Sequence, residues 1–314
     1  MEGRGPRRGR SQAGGTLTGR SLHAGDPEYP ARLRDLSSPP DPVFLAGPWR
    51  HDGPIVAIVG TRDPTEDGID VTRDLARVLV ERGAAIVSGL ARGIDAAAHE
   101  AALEAGGVSG AVLGTPLERT YPRRHAALQS KLAVSLGLMS EIPPEGHASP
   151  NTFAARNRML AAMADAVVVV QGRHGSGALI TAAAALQLGR PVGAVPWDSR
   201  EPLAEAPHGL IHRGDATLIR GAEDVMCLIR REETPSPDEG LTTSRVPSFD
   251  STTLPLHEAA LYRALRDRPR SLDLLAETAS LTVPELSIAL LALELKGLAS
   301  REPGGLARRA RPRP

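Results

Sequence analysis

Asp95 and His99 stand four residues apart, a spacing that puts a carboxylate and an imidazole on one helix face, where a pair can move a proton or share a metal. The same placement suits an acid that caps the helix and a histidine bonded within the domain, and that reading is preferred. Three other segments carry groups suited to anions. Gly60-Thr61-Arg62 ends a β-branched run, so its free N–H groups and an arginine fork can face a phosphate. Ser88-Gly89 and Gly93 bracket Leu90-Ala91-Arg92 just before Asp95, as in a tight anion-binding turn. Gly172 to Thr181 contains Ser176-Gly177 leading into a helix, with a hydroxyl as an added donor. In FAARNRML, Arg156, Asn157 and Arg158 offer contacts to phosphates and base edges, or else form a solvated face. Phe153 is either a platform for a nucleobase or an anchor for its own helix.

The elements that must position these residues alternate. IVAIVG, AAIVSG, VSGAVLG, GLMSE, AVVVVQG and PVGAVP read as strands. Helices are predicted near residues 65–82, 95–105, 123–135, 153–164 and 178–188. Strands alternating with helices imply right-handed crossovers and an α/β, doubly wound parallel sheet, and unbroken apolar runs such as AVVVV imply burial on both faces. In such a sheet ligands bind beyond the carboxyl ends of the strands. Four Gly- or Arg-bearing loops would then converge on one edge and form a groove for a phosphodiester or a nucleotide. No Lys follows Ser176-Gly177 as in a Walker loop, and the GxGxxG spacing is absent after IVAIV, so neither an NTPase nor a dinucleotide site is supported. No residue stands out as a nucleophile or base, and no catalytic residue, cofactor or metal is expected.

The 314 residues exceed one average domain. Apolar residues make up 41% and aromatics 3%, so the core must be Ala, Val, Leu and Ile. Lys plus Arg and Asp plus Glu are 37 each, so any surface for nucleic acid must be a local patch. The single Cys227 excludes an internal disulfide and a multi-cysteine metal site. No run is long and apolar enough to span a bilayer, and the N-terminus lacks a secretory apolar segment, so a cytoplasmic protein without a membrane partner is expected. Residues 1–25, with five Arg, are expected to be a disordered tail. Residues 26–230 form the sheet domain with its Pro-rich lead-in, 231–254 a polar linker and 255–308 a small domain of three helices and a hairpin, in the order of a winged helix. Residues 309–314 are a basic tail. The last predicted helix, 283–296, carries Leu286, Leu290 and Leu293 on one stripe and Ile288, Leu291 and Leu295 on another, with only Lys296 as a cation.

Taken together the segments resemble the DNA-processing protein A (DprA/Smf) family. VGTRDPTEDG is similar to its first phosphate turn, SGLARGIDAAAHEAAL to its long Gly-rich segment, and SEIPPEG with FAARNRMLAAMADAVVVVQG to its central signature. GSGALITAAAALQLGRPVGAVP, the lead-in YPARLRDLSSPPDPVFLAG and the C-terminal LDLLAETASLTVPELSIALLALELKGLA follow in the family's order. Departures fall at Pro116, Glu118, Ala154 and Trp197, and an Arg/Gly tail stands where the family has a helical module. The resemblance implies a Rossmann-like domain that binds and protects single-stranded DNA, forms a homodimer and loads the RecA recombinase during natural transformation. It implies a DNA-facing set of Gly60, Thr61, Arg62, Ser88, Gly89, Gly93, Phe153, Arg156, Asn157, Arg158, Ser176 and Gly177. The alternatives are a nucleotide phosphoribohydrolase on a related fold and a nucleotide-sensing module.

Overall fold

The computed structural model describes residues 19–230, 254–265, 270–302 and 305–310, in two compact units divided between Gly240 and Leu241. The expected tail up to residue 18, the linker over 231–253 and the last four residues of the basic tail lie outside the described residues.

The first unit is built on a nine-stranded sheet. Its strands are β1 (Arg20–Leu22), β2 (Val43–Ala46), β3 (Ile55–Val59), β4 (Ala85–Ser88), β5 (Ser109–Leu113), β6 (Gly137–Ser140), β7 (Ala166–Val169), β8 (Val192–Ala194) and β9 (Thr217–Leu218), in the order β1-β2-β6-β5-β4-β3-β7-β8-β9. β3 to β9 pair in parallel, and the antiparallel β1–β2 pair caps the β6 edge. Two expectations change here. The stretch at Arg20–Leu22 is a strand rather than part of a disordered tail, because it pairs with Val43–Leu45. VFLAG, read as lead-in, supplies β2.

The intervening helices are α1 (Glu66–Glu81), α2 (Ile94–Glu104), α3 (Ala126–Val134), α4 (Pro150–Met163), α5 (Gly177–Gln187), α6 (Glu205–His212) and α7 (Ala222–Arg230). Two of them, α1 and α4, start where the sequence supplies a cap. Thr65 accepts the Gly68 N–H, with Glu66 and Asp67 in the first turn of α1. Ser149 and Thr152 form a reciprocal capping box at α4, with Pro150 in its first turn. Alternate residues of β3 enter different cores. Ile55, Ala57 and Val59 pack with α4 and α5 residues such as Leu160 and Ala182, while Val56 and Ile58 pack with Leu75 and Leu79 of α1 and Ala98 of α2. Consecutive neighbours β3 and β7 therefore send their following helices to opposite faces, which opens a crevice at their carboxyl ends.

The second unit contains α8 (Leu256–Ala264), β10 (Arg270–Ser271), α9 (Leu272–Ala279), α10 (Val283–Leu295), β11 (Ala299–Glu302) and β12 (Leu306–Arg309). Its three strands lie in the order β10-β12-β11, the three helices and wing expected from the sequence. Leu286, Leu290 and Leu293 of α10 are buried with Leu261 and Leu275, whereas Ile288, Leu291 and Leu295 are exposed.

Candidate nucleic-acid interface

The loops after β3 and β7 are stitched together beneath the crevice. The Thr61 N–H donates to the Gln171 carbonyl at 2.7 Å, and the Ile94 N–H to the Thr61 carbonyl at 3.2 Å. The Gln171 amide accepts from the Thr65 N–H at 3.1 Å and donates to the Thr65 hydroxyl at 2.8 Å. Gly93 adopts φ +82°, a left-handed conformation, and a side chain there would also collide with the Thr61 carbonyl. The turn before α2 is thus fixed by backbone geometry.

Above this floor lies a cleft of about 410 Å³. Eight of the expected residues line it: Gly60, Thr61, Arg62, Phe153, Arg156, Asn157, Ser176 and Gly177. Arg62 is exposed and makes no ion pair among the described residues. The Ser176 hydroxyl is buried with no hydrogen-bond partner, at the start of α5, whose first turn has no side-chain cap. A helix start leaves its first N–H groups without intrahelical partners, so hydroxyl and backbone donors meet at one point suited to an anion. The Asn157 side-chain amide reaches the same turn, donating to the Gly177 carbonyl at 3.3 Å.

Four expected residues do not line the cleft. Ser88 is fully buried and its hydroxyl donates to the Ile58 carbonyl at 2.6 Å. Gly89 lies behind Arg156, so close that any side chain at this position would overlap the guanidinium. Gly93 shapes the turn from below. Arg158 points elsewhere, because residues two apart on a helix do not share a face, and it pairs with Glu141 at 2.6 Å.

Arg156 itself is only 5% exposed, and its guanidinium donates to the Val112 carbonyl and to the Asn157 side-chain oxygen. Burial pushes its pKa down, opposed by the nearby Asp95. Asp95 does not cap α2 by its side chain, since Gly93 holds that position. Its carboxylate reaches back to accept the N–H groups of Gly89 at 3.1 Å and Ala91 at 3.3 Å, which ties down the Gly-rich loop. Burial pushes the Asp95 pKa up, against the pull of Arg156.

His99 is fully buried and bonded at Nδ1 to the Ser109 hydroxyl, 2.8 Å away. That hydroxyl spends its one proton on the Ile86 carbonyl at 2.7 Å, so Nδ1 must be the donor and Nε2 carries a lone pair. Burial, then Arg156 and His125, hold its pKa down to about 3. Asp95 and His99 are therefore both committed to the frame of the domain. Among the described residues no cluster of three or more His, Cys, Asp or Glu is placed to hold a metal. Cys227 is buried in α7, and no single described helix is long and apolar enough to cross a membrane.

One side chain at the cleft was not singled out from the sequence. Tyr121 lies against Phe153, with ring centroids 5.3 Å apart and planes tilted by 49°. It is 56% exposed, whereas Phe153 is partly buried.

Residues 20–230 match the sequence profile of the DNA recombination-mediator protein A family, and residues 247–305 that of the DprA winged helix domain. Protein Smf of Escherichia coli K12 is 37% identical over 283 residues, which cover 89% of this chain and 75% of that protein. The crystal structure of DNA processing protein A from Streptococcus pneumoniae superposes with a TM-score of 0.63 at 34% identity, over 68% of this chain and 75% of the other. DNA processing protein A from Helicobacter pylori, described for its single-stranded DNA binding mode, gives 0.61 at 27% identity, over 68% and 97%.

Proposed function

The chain belongs to the DNA recombination-mediator protein A family, and from that membership we propose that its cleft binds single-stranded DNA and does no chemistry on it. The observation that carries the reading is the meeting of Ser176, the uncapped start of α5, Asn157 and the exposed Arg62 in one cleft beside an aromatic pair. These are donors for a phosphate and surfaces for a base, the two demands of binding a single strand without regard to sequence. The one carboxylate in the lining, Asp95, already accepts two backbone N–H groups. A double helix keeps its base faces stacked inside, so it cannot present them to the aromatic pair.

We extend the proposal to the pathway: a cytoplasmic homodimer that protects incoming DNA and delivers it to the RecA recombinase during natural transformation. Family membership and the relative whose structure concerns single-stranded DNA support this. Titrating a labelled oligothymidylate against single- and double-stranded competitors tests the core claim. Single strands are expected to compete and duplexes to fail. Equal competition by duplex, or release of free base from nucleoside monophosphates, would overturn it. Stimulation of RecA filament assembly and sedimentation as a dimer test the extension.

A further inference from the structure

We propose that Tyr121 is the platform on which a nucleobase stacks, with Phe153 as its support, and that its loop carries the strand beyond the cleft. The inference rests on the single-strand reading above. Tyr121 is the one exposed aromatic among the described residues; Tyr29 and Trp49 are buried, and Phe44, Phe153, Trp197 and Tyr262 are partly buried. Phe153 lines the cleft and touches Tyr121, so the tyrosine ring continues the cleft wall outward.

The geometry distinguishes a platform from a slot. A base held between two rings needs van der Waals spacing on both sides, so the rings must stand about 7 Å apart. These centroids are 5.3 Å apart and tilted, which leaves no slot. Only the outward face of Tyr121 is open to a base.

The loop that presents this ring is built to hold it. The Thr152 hydroxyl of α4 donates to the Gly114 carbonyl at 2.8 Å, and the Ser140 hydroxyl of β6 to the Thr115 carbonyl at 2.7 Å. The Gln129 amide of α3 donates to the Leu117 carbonyl at 2.7 Å, and the Thr115 hydroxyl closes the loop on the Arg119 carbonyl at 2.8 Å. His125 at its end bonds the Leu90 carbonyl at 3.0 Å, joining it to the Gly-rich loop before α2. A loop backbone held in this way, with the ring resting against Phe153, lowers the ordering cost when a base stacks on it. Arg119, Arg123 and Arg124 flank Tyr121; all three are exposed and none pairs with an acid among the described residues, while Glu118 is the loop's single carboxylate. Cations beside an exposed ring are what a strand needs once it leaves the α5 anion seat.

The test uses the full chain with Tyr121→Ala and Tyr121→Phe, an oligothymidylate and an abasic oligomer of the same length. Tyr121→Ala is expected to weaken oligothymidylate binding roughly 5- to 140-fold with an unchanged salt slope, to leave abasic binding alone, and to be rescued by Tyr121→Phe. Parent-like affinity of Tyr121→Ala would overturn this proposal and leave the single-strand function standing. A changed salt slope would overturn it too, by showing a phosphate contact instead of stacking. Failure of the parent to bind single strands would overturn both. Should Tyr121→Ala melt early, photocrosslinking of a 5-iodouracil oligomer to the unmodified chain decides: a crosslink at Tyr121 supports the platform, and crosslinks only elsewhere overturn it.

Discussion

Arginines near the cleft divide by what already occupies them. Arg62 is unpaired and exposed, so a phosphate bound there releases counterions, and Arg62→Ala should make the slope of log affinity against log salt shallower by roughly 0.7. Arg158 is held by Glu141 at 2.6 Å. Arg158→Ala should leave that slope alone and lower the melting temperature, because it strands a carboxylate that is 17% exposed. Slopes measured for both variants check the assignment, and a shallower slope for Arg158→Ala would return that residue to the interface. His99 gives a pH dependence. Its folded pKa, about 3, lies below the ordinary 6.5, so the unfolded chain takes up the proton first as pH falls. The stability from its neutral form is whole above pH 6.5 and is lost on acidification toward 3, at up to about 1.4 kcal/mol per pH unit. Asp95, raised by burial, acts in the opposite sense and loses stability as pH rises through its folded pKa. The melting temperature of the parent should therefore fall between pH 6.5 and about pH 5, and that of His99→Gln should fall less. Parallel falls would assign the acid sensitivity to other groups.

At the level of elements, α4 is the member whose placement matters most to the cleft, since it carries Phe153, Arg156 and Asn157. Ser149 starts it by accepting the Thr152 N–H, and Thr152 in turn donates to the Gly114 carbonyl under the Tyr121 loop. Ser149→Ala should cost about 1 kcal/mol of stability and weaken oligonucleotide binding, since the frayed turn holds Phe153. Calorimetry and the same titration read both, and a full loss of stability without loss of binding would separate the turn from the site. The central strands were legible because they are short, rich in β-branched residues and bounded by Gly, as strands buried on both faces are. Thr65 and the acids after it announced α1 in the same direct way. β2 was not legible, because its four residues gain a meaning only from β6, which pairs Phe44 with Ser140. Tyr121 escaped for the same reason, its partner Phe153 being distant in sequence. That Arg158 lies outside the cleft could not be read from the string, where Arg156 and Arg158 look alike, whereas a helix turns them to different sides.

On the scale of the whole molecule, several cations of the second unit are already engaged among its described residues. On α10 the outward residues include Val283, Ile288, Leu291 and Leu295, and Lys296 is paired with Glu258 at 2.5 Å. Arg301 and Arg308 are paired with Glu294 and Glu302, and Arg309 bonds the carbonyls of Tyr262 and Leu265. Removing residues 241–314 should leave affinity for an oligothymidylate within a few fold. A loss like that expected of a groove variant would place part of the binding surface in this unit. The sheet order of the first unit also sets a schedule. β3 lies between β4, its near neighbour in the chain, and β7, whose pairing joins Val56 to Ala166. Ribosomes add roughly 5–20 residues per second, so β3 waits on the order of 5–20 s for its second partner to be made. Until then the apolar edge of β3 is unpaired in the nascent chain, and the crevice that β3 and β7 form between them has only one wall. Binding competence must therefore arrive late in synthesis, after most of the first unit has left the ribosome.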